Sequence, residues 1–202
     1  MSLLRRADLF AYPLWQSDLR SALPNPALLL RDALALSPKS EDAPWVGVNP
    51  GRGSWSASAP WQGLVGTIAS IVAEMVASEI APEARLEHRT LSPVVWLEAG
   101  GGGDVAGGVS RITPPPPIRG SVLTGVLEIV VSATTELSGE GGSMVLRDPG
   151  VSLANRGRIE HRLEFLPYVV MLFPAFVEFS IESPPLPACQ PSLRIVSYWV
   201  ES

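Results

Sequence analysis

The stretch Tyr168-Val169-Val170-Met171-Leu172-Phe173 is followed, after Pro174-Ala175-Phe176, by Val177-Glu178-Phe179-Ser180-Ile181-Glu182. Two short runs rich in β-branched and aromatic residues, separated by a proline turn, read as consecutive strands. The same alternation of apolar runs with Gly and Pro clusters extends over the chain from about Leu86 onward. Ser92–Glu98, Leu123–Ser132, Gly142–Arg147 and Leu193–Val200 are further candidate strands. Breaks fall at Gly100–Gly103, Pro114–Pro117, Ser138–Gly142, Pro149-Gly150 and Pro184–Pro187. Strands at this spacing favour a sandwich or barrel over a parallel α/β sheet. The glycine run Gly100–Gly103 matches neither phosphate-loop pattern and has no lysine nearby, so it reads as a turn.

The first half is different. Asn25-Pro26 ahead of Ala27–Leu36 offers an N-cap and a proline at the first helical position. A second helix is predicted over about Trp61 to Ser78. There Leu64, Ile68, Ile71, Val72, Met75 and Val76 form one apolar stripe that Pro82 ends. The expected fold is therefore mainly β with flanking helices. Residues 1–202 form one domain, with a helical N-terminal part over 1–85 and a β core over 86–202.

Composition narrows the function. The chain has 202 residues, 46% hydrophobic and 17% charged, enough apolar content for a sizeable core. Its net charge is −5, and its 15 basic residues are scattered and include one lysine, Lys39. That argues against a nucleic-acid partner, which calls for a basic patch. Cys189 is the single cysteine, so neither an internal disulfide nor a multi-cysteine zinc site is available. No apolar run is long enough for a secretory leader or a bilayer span, which suggests a soluble, cytoplasmic protein. Serine-hydrolase chemistry lacks a G-x-S-x-G elbow, and nothing beside Cys189 in sequence would activate its thiol.

Several segments, taken in order, resemble small iron(II)/2-oxoglutarate oxygenases related to the prolyl hydroxylases. Asp8-Leu9-Phe10-Ala11-Tyr12-Pro13-Leu14-Trp15 resembles their opening strand, and Gly53-Ser54-Trp55-Ser56 stands where members carry a Gly-Gly-Trp-Gln-Ser-like segment. Ser121-Val122-Leu123-Thr124-Gly125-Val126 resembles their S-x-L-S-G-V strand, and Asp148-Pro149 a recurrent turn. Leu172-Phe173-Pro174-Ala175-Phe176-Val177 is similar to LFPSWL, and Arg194-Ile195-Val196-Ser197 to a closing R-I-S-I-S strand. The resemblance implies a double-stranded β-helix (jelly-roll) core with the two N-terminal helices packed on it.

It also implies an iron site held by imidazole and carboxylate ligands, with open positions for 2-oxoglutarate and oxygen. The positions it assigns to the histidines carry Pro116, Ile118 and Phe179. None of these can ligate a metal, so no metal or other cofactor is expected. The chain's two histidines, His88 and His161, leave open a rebuilt site with Asp148, Glu128 or Glu178. The bland reading is two histidines hydrogen-bonded at strand ends.

The resemblance gives Arg194 the task of gripping the far carboxylate of 2-oxoglutarate, which a guanidinium does with two parallel hydrogen bonds. Along Leu193–Val200, Arg194, Val196, Tyr198 and Val200 share one face, and Ile195, Ser197 and Trp199 the other. Both faces are apolar enough for a strand buried on two sides, which turns Arg194 inward. The alternative is an outward Arg194 paired with Glu178 or another surface acid. The sequence thus suggests Glu128 and Glu178 as catalytic acids, and Arg194, Trp96, Phe179 and Tyr198 as ligand-binding residues. Trp15, Trp55, Trp61 and Trp199 are further pocket candidates or, more commonly, core.

Three functions fit. The first is a degenerate oxygenase whose barrel binds a small organic substrate, such as a natural product, and cyclises or isomerises it without metal. The second is a non-catalytic pseudoenzyme that scaffolds or binds a partner protein. The third is an active oxygenase with unconventional ligands. Whether the chain forms a homodimer stays open.

Overall fold

The computed structural model describes residues 5–9, 12–23, 25–36, 46–48, 59–75, 91–100, 110–130, 142–147, 160–183 and 192–201. Its strands are β1 (Arg5–Leu9), β2 (Tyr12–Asp18), β3 (Val46–Val48), β4 (Leu91–Gly100), β5 (Ser110–Ile112) and β6 (Ser121–Val130). They continue with β7 (Gly142–Arg147), β8 (Glu160–Phe165), β9 (Val169–Pro174), β10 (Glu178–Ser183) and β11 (Ser192–Glu201). The helices are α1 (Pro26–Leu36) and α2 (Ala59–Met75). Among the described residues, the strands form a seven-stranded sheet in the order β1-β2-β9-β6-β11-β4-β3 and a four-stranded sheet in the order β5-β10-β7-β8. All the pairings are antiparallel.

The six strands expected from the sequence are all present, shifted by at most a few residues at their ends. Both helices are present too, and α1 starts as its sequence dictates. Asn25 stands just outside it and its Oδ1 accepts a hydrogen bond from the Leu28 N–H at 3.4 Å. The reading of residues 1–85 as a helical part needs correction. β1, β2 and β3 come from that half and complete both flanks of the large sheet.

Two apolar clusters explain the layering. On one face of the large sheet, Leu29, Leu30 and Ala33 of α1 and Trp61, Leu64, Ile68, Ile71 and Val72 of α2 pack onto strand residues. These include Leu127 and Ile129 of β6, and Leu193, Ile195 and Trp199 of β11. On the other face, Val126, Met171, Phe173, Val196 and Tyr198 meet Met144, Leu146, Phe165, Phe179 and Ile181, so the two sheets share one interior. Alternate residues of one strand feed the two clusters, as the period of two requires. β11 is buried from Ser192 to Trp199.

One contact fixes how closely β6 and β11 approach on the helix side. Gly125 is registered opposite Ser197, whose hydroxyl donates to the Gly125 carbonyl at 3.3 Å and accepts the Trp199 indole N–H at 3.2 Å. A Cβ on Gly125 would meet Ser197 Oγ at 2.5 Å and Leu172 Cδ2 at 3.0 Å. Gly125→Ala is therefore expected to destabilise the protein by about 1–3 kcal/mol, the usual range for overpacking. Adding Ser197→Ala should restore part of that loss in urea titrations, although Trp199 then loses its acceptor. A double variant no more stable than Gly125→Ala would show that Ser197 is not the obstacle.

Candidate functional site

The buried charged residues among those described come from β6 and β11. Glu128 and Arg194 are direct Cα partners. Strand alternation puts both on the inter-sheet face, since Val126, Val196 and Tyr198 lie there while Leu127, Ile129, Leu193 and Ile195 face the helices. The Arg194 Nε–H donates to Glu128 Oε1 at 2.9 Å. The two residues are 5% and 4% exposed, so water does little to screen the pair. Arg194 thus turns inward, as the two-faced burial of its strand suggests, and its carboxylate partner is Glu128. It is not the surface acid Glu178.

Glu178 belongs elsewhere. On β10, Phe179 and Ile181 enter the inter-sheet cluster, so Glu178, Ser180 and Glu182 point to the other side, and Glu178 is exposed. The two glutamates that the sequence suggests as catalytic acids are on different sheets and do not share a pocket. The outer face of the small sheet instead carries cross-strand polar contacts. Arg147 donates to Glu160 at 2.8 Å and to Ser180 at 3.2 Å. Arg162 donates to Ser143 at 3.0 Å and to Glu182 at 2.5 Å. In each ion pair one member is exposed, Glu160 at 49% and Arg162 at 63%, so water competes for it and the contribution stays at about the 0–1 kcal/mol of surface pairs.

The other end of the interior is apolar. Phe179 sits edge-on to Phe173, with ring centroids 5.2 Å apart and planes at 76°. Ile118 and Leu163 pack against the same cluster. Pro116 is exposed. Tyr198 is buried, and its hydroxyl donates to the Pro115 carbonyl, tying the proline segment to β11. Burial pushes the Tyr198 phenol well above its ordinary range. Tyr168 is raised by burial as well, with the Arg20 charge opposing. Thr124, registered between Tyr198 and Phe173, buries its Oγ1 with no hydrogen-bond partner among the described residues.

The remaining sequence-derived residues are scattered. Trp96 is on β4, across from Val196, and its side chain lies outside those described. His161 is half-buried on the edge strand β8, opposite Leu146. Trp15 and Trp199 of the sheet and Trp61 of α2 are core residues between the helices and the sheet. His88, Asp148, Trp55 and Cys189 lie outside the described residues. Tyr168 was not singled out by the sequence. It takes φ 67° at the β8–β9 turn, where its N–H donates to the Glu128 carbonyl at 2.7 Å and its hydroxyl to that of Val130. The turn is thereby locked against the strand that carries Glu128.

No family model matches the sequence, and no curated protein matches it either. Among solved structures, the fold is similar to a prolyl-4-hydroxylase from Pseudomonas putida, with a TM-score of 0.51 and 12% identity over 96% of each chain. It is also similar to a prolyl 4-hydroxylase from Phytophthora capsici, with a TM-score of 0.51 and 11% identity. That match covers 94% of this chain and 59% of the Phytophthora chain. At such identities the likeness is one of fold. Among the described residues, no helix is long and apolar enough to cross a membrane.

Two outcomes are expected. Arg194→Ala or Glu128→Ala alone strands a buried charge and should destabilise by about 3–5 kcal/mol. The Arg194→Met/Glu128→Leu variant should lose far less than the sum, and strictly additive losses in a double-mutant cycle would refute the coupling. Stability should also fall as pH rises above about 10, because the unfolded chain then releases phenolic protons that the folded chain retains. Tyr198→Phe should make that alkaline fall shallower in denaturant titrations, and an unchanged slope would contradict the role of burial.

Proposed function

We propose that this chain is a non-catalytic relative of the iron(II)/2-oxoglutarate oxygenases, with a jelly-roll core whose interior is occupied by its own side chains. It would work as a scaffold or partner-binding protein. The observation that carries this reading is the place of Phe179, the residue standing where the resemblance calls for a histidine ligand. It is wedged against Phe173 in the buried inter-sheet cluster, with Ile118 packed on the same cluster.

The donor set does not fit an iron ion. Pro116 and Ile118 have no donor atom in their side chains, and Phe179 offers only an aromatic face. Among the described residues, no three His, Cys, Asp or Glu side chains come together in a way that could hold a metal. His161 faces Leu146 from an edge strand, and Glu178 is on the outer surface of its sheet. Glu128 is engaged by Arg194. The reading therefore routes no reaction through iron or 2-oxoglutarate.

A second reading has one observation in its favour. The buried Thr124 hydroxyl, lying between Tyr198 and Phe173, is a polar atom in an otherwise apolar region. Such a group suits a small organic ligand that is bound without metal and, in the fuller version, rearranged. Thr124→Val distinguishes the two. A scaffold should tolerate the change or gain stability from it, whereas a ligand site should lose affinity.

The decisive test of the scaffold reading is direct. Protein purified with added iron(II) is expected to hold far less than one equivalent, to release no succinate from 2-oxoglutarate, and to melt at the same temperature with and without chelator. Stoichiometric iron together with succinate release would overturn it.

A further inference from the structure

We propose that the outer edge of β8 is a self-association surface, on which two copies of this chain pair their small sheets strand to strand about a two-fold axis at Leu163. The surface lies outside the interior that carries the scaffold reading, and its occupant is a second copy.

β8 ends the small sheet, so among the described residues one side of its backbone has no strand beside it. Such an edge presents N–H and C=O groups that a further strand can take up. Edge strands commonly guard against this with proline, lysine or charges turned inward. Glu160-His161-Arg162-Leu163-Glu164-Phe165 has neither proline nor lysine. Its carboxylates and its guanidinium, Glu160, Arg162 and Glu164, are exposed on the outer face. His161 faces Leu146 on the inner side, where Leu163 and Phe165 join the inter-sheet cluster.

The alternating signs select the partner. In an isologous antiparallel pair that keeps both inner faces on one side, the axis passes through a single residue. An axis at Arg162 sets arginine against arginine and Glu160 against Glu164, which is repulsive. An axis at Leu163 sets Arg162 of each copy against Glu164 of the other. On the inner face it brings the two Leu163 side chains together, with His161 against Phe165 on either side.

An axis at His161 would instead oppose Glu160 and Arg162, but Glu160 already accepts a hydrogen bond from Arg147 at 2.8 Å. Glu164 makes no side-chain hydrogen bond or ion pair among the described residues. Arg162 reaches Ser143 and Glu182 through Nη1, which leaves its Nε and Nη2 groups for a carboxylate beyond the edge. Leu163 is only partly buried against its own cluster, and its copy would cover the rest.

Sedimentation equilibrium of the full chain tests the surface. A six-residue edge covers less area than a permanent dimer needs, so a reversible equilibrium is expected, half associated at about 10–100 µM. Glu164→Arg and Arg162→Glu each set like charges against one another twice, and each should weaken association about tenfold or more. Arg162→Glu/Glu164→Arg exchanges the signs and should associate again. An equimolar mixture of the two single variants should do the same, because every glutamate of one chain then meets an arginine of the other.

A wild type that stays monomeric at about 1 mM overturns the proposal, even if another protein binds the edge. So does a dimer that Glu164→Arg leaves intact, since the axis would then lie elsewhere. A mixture of the single variants that stays monomeric overturns it as well. None of these outcomes depends on iron or succinate, so a failed β8 surface and a failed scaffold reading can be told apart.

Discussion

A strand buried on both faces has no side to give to water, and β11 is such a strand. Its neighbours must therefore satisfy every polar group it carries. On the helix side this falls to the Gly125 carbonyl of β6, which takes the hydroxyl of Ser197 while that hydroxyl accepts the Trp199 indole N–H, in a space that only glycine leaves open. On the inter-sheet side it falls to Glu128, which meets Arg194, and to the Pro115 carbonyl, which takes the Tyr198 hydroxyl. Each arrangement requires a particular partner at a particular register position. Together they set where β6 and the proline segment lie.

The strands were legible because their signal is local. Six apolar runs between Gly and Pro breaks mark six strands without any knowledge of their partners. β8 escaped because Glu160-His161-Arg162-Leu163-Glu164-Phe165 is an edge strand with charge on its outer face, so its composition resembles that of a loop. β3 and β5 are three-residue strands that follow from pairing with β4 and β10 more than from their own sequence. The glycine of the S-x-L-S-G-V-like strand and the serine of the R-I-S-I-S-like strand had no visible connection in the sequence. The register joins them.

The site was less legible, for a different reason. Strand periodicity was enough to turn Arg194 inward. It could not name Glu128 as the partner, because the two are 66 residues apart and meet only once β6 and β11 are aligned. Glu178 shows the converse. Its neighbour Phe179 is buried, and on a strand that alone sends Glu178 to the opposite face. Glu178 therefore faces away from the interior that Phe179 enters.

The same two residue types do different things in the two sheets, and burial decides which. Arg147–Glu160 and Arg162–Glu182 lie on the outer surface of the small sheet, where exposed partners move and water competes for them. Arg194–Glu128 has no such competitor, so each member fixes the charge that the other position must carry. Replacing Phe179 by histidine would supply a donor atom, but the aromatic packing with Phe173 would be lost and the arginine would still hold its own glutamate. Opening this interior would need the Phe179–Phe173 contact broken and the Glu128 carboxylate withdrawn from Arg194, two changes that no single substitution links.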